Sequence, residues 1–103
     1  MSVLVTVLYP KTEKSTFDFD YYMKKHMPLA EEKWTPYGLT NWVVTKLDEN
    51  APYSYQAILF FKDQESWAKA YQAPETPVVL ADVANYSSEP AVLLIGNEVP
   101  KTA

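Results

Sequence analysis

The chain has 103 residues, of which 48% are hydrophobic, 21% charged and 15% aromatic; this is enough apolar material for one domain spanning 1–103 and excludes a disordered chain. Nine lysines and no arginine stand against thirteen acidic residues, a net charge of -4 that argues against nucleic acid as a partner. Cysteine is absent, which removes disulfides, thiolate nucleophiles, zinc fingers and iron–sulfur clusters.

Residues 3–9 (VLVTVLY) are rich in β-branched side chains and predict a strand, apolar on both faces, that stops at Pro10. Ser15 or Thr16 can cap a following helix, with Asp18 and Asp20 in the first turn where the helix dipole favours acids. Phe19, Tyr22, Met23, His26 and Ala30 recur at helical spacing as a buried stripe. Pro28 lacks an N–H for the Lys24 carbonyl and its ring disfavours helical dihedrals at Met27, so a kink is expected just after His26. The helix is expected to resume at Pro28 and end near Pro36 to Gly38.

Residues 39–47 and 53–61 predict two strands joined by a short polar loop, an antiparallel pair. Asp63 can cap a second helix with Trp67, Ala70 and Tyr71 inward. Thr76-Pro77 starts a short third helix carrying Val79, Leu80, Val83 and Ala84, and residues 91–95 predict a last strand stopped at Gly96, with a loosely held tail from Asn97 to Ala103. The order strand, helix, strand, strand, helix, strand gives an α+β fold: the ferredoxin-like βαββαβ pattern, a four-stranded antiparallel sheet with two main helices on one face and a short extra helix. No apolar run is long enough to cross a membrane, so a cytoplasmic protein without membrane partners is expected.

Helices on one face leave the other to solvent, where a monomer's strands should turn polar. Here the first, third and fourth strands stay apolar on both faces, which favours a homodimer through the open sheet face. The competing reading is a moderately apolar face relieved by Thr6, Thr40 and Gln56.

The single imidazole, His26, lies on the apolar helix stripe beside the proline. A neutral histidine is suited to proton transfer near neutral pH, and an apolar setting favours its neutral, basic form. The alternative is a core histidine bonded to a carbonyl freed by Pro28. The adjacent acids Glu31-Glu32 and Asp48-Glu49 read as solvated charge, no metal set is expected, and two glycines cannot build a phosphate-cradling loop.

Phe17, Tyr21-Tyr22 and His26-Met27-Pro28-Leu29, following a strand that ends Leu8-Tyr9-Pro10, resemble the EthD family of dimeric α+β barrel proteins, and the likeness in element order covers nearly the whole chain. The resemblance implies a sheet-to-sheet dimer with a pocket between helices and sheet in each subunit, His26 in or near it, and no cofactor. It also implies a hydrophobic, aromatic or polyketide-like small molecule as ligand, since wider relatives include cofactor-free cyclases, isomerases, dehydratases and monooxygenases. On this reading His26, Tyr22 and Tyr9 are the candidate catalytic residues, and Val5, Val7, Phe19, Met23 and Tyr86 the candidate substrate-binding walls. The rival is a non-catalytic ligand-binding or accessory protein in which His26 only anchors the kinked helix.

Overall fold

In the computed structural model, which describes residues 2–101, β1 (Val3–Pro10) alternates strictly: Val3, Val5, Val7 and Tyr9 are buried, whereas Leu4, Thr6 and Leu8 are half-covered. This two-residue period assigns the first set to the helix side of a sheet and the second to its open side. β2 (Leu39–Lys46) and β3 (Tyr53–Phe61) form the antiparallel pair, and β4 (Val92–Asn97) pairs antiparallel with β1, giving the sheet order β2-β3-β1-β4. Register places Phe61, Leu59 and Ala57 opposite Val3, Val5 and Val7, so the core-facing residues of the two central strands form one apolar floor.

Two expectations for the strands change. β4 runs through Gly96, which pairs with Leu4, because a glycine in an extended edge strand loses packing and entropy without breaking the ladder. The tail is not loose at its start, since Asn97 ends β4 and the Glu98 N–H donates to the Ser2 carbonyl at 2.9 Å; residues 102 and 103 lie outside the described residues.

The helical side begins with α1 (Phe19–Tyr21), capped by Asp18, whose carboxylate accepts from the Tyr21 N–H at 3.1 Å. The cap is therefore Asp18 and neither Ser15 nor Thr16; Ser15 closes the preceding turn onto Thr12, and the Thr16 N–H donates to the Ser88 hydroxyl. Pro28 leaves the helix unbroken, without pushing Met27 from helical dihedrals (φ -65°, ψ -40°). Residues Tyr22–His26 widen into one π turn in which the Met27 N–H reaches back to the Tyr22 carbonyl. α2 (Met27–Trp34) follows with proline in its first turn, where the absent N–H costs nothing. A 3₁₀ turn, Thr35–Tyr37, then ends at Gly38, whose φ of 106° and close approach to Ser66 exclude a side chain.

The Asp63 carboxylate caps α3 (Gln64–Gln72) by accepting from the Ser66 N–H at 2.8 Å. α4 (Thr76–Ala81) continues into a 3₁₀ turn, Asp82–Asn85. Thr76 sits inside the first turn of α4, after Glu75, and its buried hydroxyl accepts from Trp34 Nε1–H at 2.9 Å and donates to the Ala70 carbonyl. That bridge ties α2 to the α3–α4 corner. Tyr71, expected inward, is instead 57% exposed, and Leu80 of α4 is 41% exposed: α3 packs on β3, and the helix-facing side of the edge strand β4 stays open. No helix among the described residues is long and apolar enough to cross a membrane.

Candidate functional site

The π turn carries Tyr22 and His26 onto the floor made by β1, while the 3₁₀ turn after α4 brings Asp82 and Tyr86 from the opposite side. Tyr22 stacks on His26 with ring centroids 5.6 Å apart and planes 14° from parallel, and meets Tyr9 edge-on at 5.4 Å. Tyr86 packs 4.6 Å from the imidazole and shares a 2.7 Å hydroxyl–hydroxyl hydrogen bond with Tyr9. Tyr9, Tyr22, His26 and Tyr86 therefore form one cluster, each at most 5% exposed.

His26 Nδ1 lies 2.9 Å from Asp82 Oδ2. Asp82 Oδ1 accepts from the Tyr21 hydroxyl at 2.7 Å and from the Asn85 amide at 2.9 Å. Burial works against the Asp82 charge, but these bonds outweigh it and hold the carboxyl below the usual carboxylate range. An ionised carboxylate can only accept, which assigns the histidine proton to Nδ1 and leaves the lone pair on Nε2. Burial pushes the His26 imidazole below its ordinary value of 6.5, with Asp82 opposing through its hydrogen bond and charge. The ring is thus held neutral, in one tautomer, with Nε2 on the side away from Asp82. The competing expectation, a ring nitrogen bonded to a backbone carbonyl freed by Pro28, is not what the fold builds.

His26 opens on an apolar hollow of about 30 Å³, with room for a water or two. Val7, Tyr9, Ala57 and Leu59 line it from the sheet, Tyr22, Met27, Ala30 and Trp34 from the first helical segment, and Val79, Leu80 and Val83 from the α4 side. The wholly buried Tyr22 hydroxyl, on this lining, has no hydrogen-bond partner. Burial, and then the neighbouring Tyr9, raise its pKa far above the ordinary phenolic value; Tyr9 and Tyr86 are raised as well, again chiefly by burial. All three phenols stay protonated donors at any physiological pH.

The expected wall residues divide. Val7 lines the hollow, and Tyr86 backs it through Tyr9 and His26. Val5 is buried one pleat further along β1, and Met23 is half-buried against the core outside the hollow. Phe19, 41% exposed, stacks on Tyr55 at 4.9 Å, since the extra residue of the π turn rotates the preceding turn away from the stripe. Asp82, the partner that orients the imidazole, carries no sequence signal, because it lies 56 residues from His26 in a helix read only for its apolar positions; Tyr21, which bonds Asp82, stands in the Tyr21-Tyr22 motif, which by itself gives it no separate role.

Compared with known proteins, no family model matches the chain. It is 30% identical over 96 residues, 91% of this chain and 92% of the relative, to an uncharacterized 11.0 kDa protein of Rhodococcus erythropolis from the thcB-thcC intergenic region. An EthD-like protein from Ralstonia eutropha superposes with a TM-score of 0.81 at 26% identity, covering 99% of this chain and 96% of that one. The chain belongs to the EthD family. A second EthD family structure, from Bacillus halodurans, agrees at a TM-score of 0.76 and 25% identity over 96% of this chain and all of that one. The EthD assignment agrees with the Tyr21-Tyr22 and His26-Met27-Pro28-Leu29 motif, of whose residues Tyr22, His26 and Met27 line the hollow.

Proposed function

We propose that this EthD protein acts on a small hydrophobic molecule brought up to the hollow and moves a proton on it without a cofactor, His26 Nε2 acting as the base. The observation that carries this reading is the 2.9 Å contact between His26 Nδ1 and Asp82, which holds the ring nitrogen facing away from the carboxylate in its basic form. A C–H or O–H proton of the ligand passes to Nε2, the resulting imidazolium is balanced by the Asp82 carboxylate, and the proton returns to a different ligand atom or leaves with an expelled hydroxide as water. Isomerisation, cyclisation by enolate attack, and dehydration all fit this balance. Charge developing on a ligand oxygen would be met by the protonated Tyr22 hydroxyl, already desolvated beside Tyr9 and in no well-formed hydrogen bond.

The same proposal includes a homodimer. Leu4, Leu8, Ile58, Phe60, Val92 and Leu94 share the open sheet face, Leu94 being 55% exposed, and a second copy laid sheet against sheet would cover them. Dimeric ferredoxin-like proteins from Jannaschia sp. and Thermobifida fusca share the fold with this chain, at 16% and 13% identity.

Deuterium uptake from D₂O into a panel of enolisable aryl ketones, followed by NMR, tests the catalytic reading. Wild-type protein should accelerate exchange, and His26→Ala should lower the rate by about 10²- to 10⁴-fold while the far-UV circular dichroism stays native. Exchange that is unchanged in His26→Ala would sink the proposal.

A further inference from the structure

The hollow beside His26, at about 30 Å³, is far smaller than the pockets that hold organic ligands, which run to several hundred Å³. An open apolar groove of about 540 Å³ lies outside it, between α3, the α4 side and the uncovered face of β4. Leu80, Val83, Ala91 and Leu93 line both spaces, so the hollow and the groove are two sides of one thin wall. Among the described residues no charged side chain lines either space; the titratable groups at the hollow are His26, Tyr9 and Tyr22, with Asp82 behind the ring. The wall itself is lightly held: Leu80 is 41% exposed, and Val83 and Leu93 are only partly buried.

We infer that hollow and groove are one bipartite binding site for an uncharged, elongated carbonyl compound. Its oxygen-bearing head displaces the Leu80–Val83 side of the wall to reach Tyr22 and His26, and its apolar tail lies in the groove against Tyr71 and Ile95. This rests on the reading of His26 as the base and adds the class of substrate and its path of entry. Three features select that class. The unpartnered Tyr22 hydroxyl is a donor that needs an acceptor, which a carbonyl oxygen supplies. The neighbouring Asp82 carboxylate, with no cation in either lining, repels a carboxylate or phosphate head. The groove offers aromatic and branched aliphatic side chains to a tail, Tyr71 being 57% exposed with its ring beside Trp67.

The test uses acetophenone, hexanophenone and decanophenone as neutral probes of increasing tail length and 4-acetylbenzoate as an anionic one, with binding followed by tryptophan fluorescence and NMR shift perturbation. Wild-type affinity should rise roughly two- to fourfold per methylene, as expected for partial burial of an alkyl chain. The double substitution Tyr71→Ala with Ile95→Ser, at two exposed groove positions outside the hollow, should remove most of that gain and leave acetophenone affinity unchanged. 4-Acetylbenzoate should bind at least about tenfold more weakly than acetophenone. Affinity that is flat with tail length, a gain that survives the double substitution, carboxylate binding equal to the ketone, or no binding by any probe would each overturn the bipartite site. The base reading fails separately: a tail-length dependence erased by the double substitution, with deuterium exchange unaffected by His26→Ala, would uphold the site and reject the base.

Discussion

Replacing Asp82 by asparagine keeps the shape of the side chain and removes its charge, and the geometry says which way the new amide must turn. In the native arrangement Oδ1 accepts two hydrogen bonds, from Tyr21 at 2.7 Å and Asn85 at 2.9 Å, whereas Oδ2 accepts only one, from His26 at 2.9 Å. Asparagine has a single oxygen. Placing it at the Oδ1 position keeps two bonds, and placing it at the Oδ2 position keeps one, a difference of about 0.5 to 1.5 kcal/mol, or a preference of roughly two- to tenfold. The amide nitrogen then faces His26 Nδ1 and donates to it, which moves the ring proton to Nε2 and takes the basic lone pair away from the hollow. His26 is the only histidine in the chain, so its ¹⁵N ring shifts report the tautomer without assignment ambiguity. Wild-type protein should show the Nδ1–H form. Asp82→Asn should show mainly Nε2–H, with deuterium exchange reduced about 10²-fold, since the minor tautomer also lacks the carboxylate that balances the imidazolium. An Asp82→Asn protein that retains the Nδ1–H form and wild-type exchange would refute the orienting role.

Tyr22→Phe removes a buried hydroxyl that bonds to nothing, so thermal unfolding should show unchanged stability or a gain of up to about 1 to 2 kcal/mol, while ketone exchange falls at least about tenfold; a loss of stability would mean that the hydroxyl is satisfied. The depressed His26 value has a definite linkage sign: the folded ring binds its proton less readily than the unfolded ring, so stability is full above pH 6.5 and declines as pH falls from there through the folded value. The groups facing the ring are Asp82, which titrates below its ordinary 3.8, and Tyr22 and Tyr86, which stay protonated; urea titrations should therefore show the decline in wild type and lose it in His26→Gln. Ile58→Lys together with Leu94→Lys, on the open sheet face, should convert a dimer into a folded monomer in sedimentation velocity, and a native protein that already sediments as a monomer at micromolar concentration would remove the dimer. Thr76→Val should cost about 1 to 3 kcal/mol in chemical denaturation, because the Trp34 indole N–H would be left buried without an acceptor.

Strand content was legible because it rests on local pattern. The alternation in Val3–Pro10 and Tyr53–Phe61 and the cap at Asp63 are properties of neighbouring residues, and the structure reproduces them within a residue or so. The end of β4 was harder. A glycine such as Gly96 reads as a stop, yet in an edge strand with nothing near its missing side chain it can simply continue. Inward or outward orientation at Tyr71 and Leu80 depended on how far α3 and α4 reach across the sheet, which no helical period encodes. The candidate site was half legible: Tyr22 and His26 share a helix face by their spacing and line one hollow with Tyr9 and Val7, while Asp82 enters from the far end of the chain.

The π turn joins these two halves of the problem. A regular helix through Pro28 would lose the bond to Lys24 and would keep Phe19, Tyr22, Met23 and His26 on one stripe. In the π turn the Met27 N–H reaches Tyr22 instead of Met23, and the helix continues through the proline, which has no N–H to place. The phase slip then divides the stripe: Met27, Ala30 and Trp34 continue the buried face, whereas Phe19 swings out to Tyr55. It also lays the Tyr22 ring almost flat on His26, 14° from parallel, so that donor and base are set by the same backbone irregularity. On this argument Pro28→Ala would not simply strengthen the helix. Restoring the N–H removes the reason for the wide turn, and a return to regular α-helix would rotate Tyr22 relative to His26. Stability should change little or rise by up to about 3 kcal/mol, while the His26–Asp82 bond and ketone exchange weaken together. A variant that becomes more stable with ¹⁵N shifts and exchange untouched would show that the turn is held by packing around the hollow rather than by the proline.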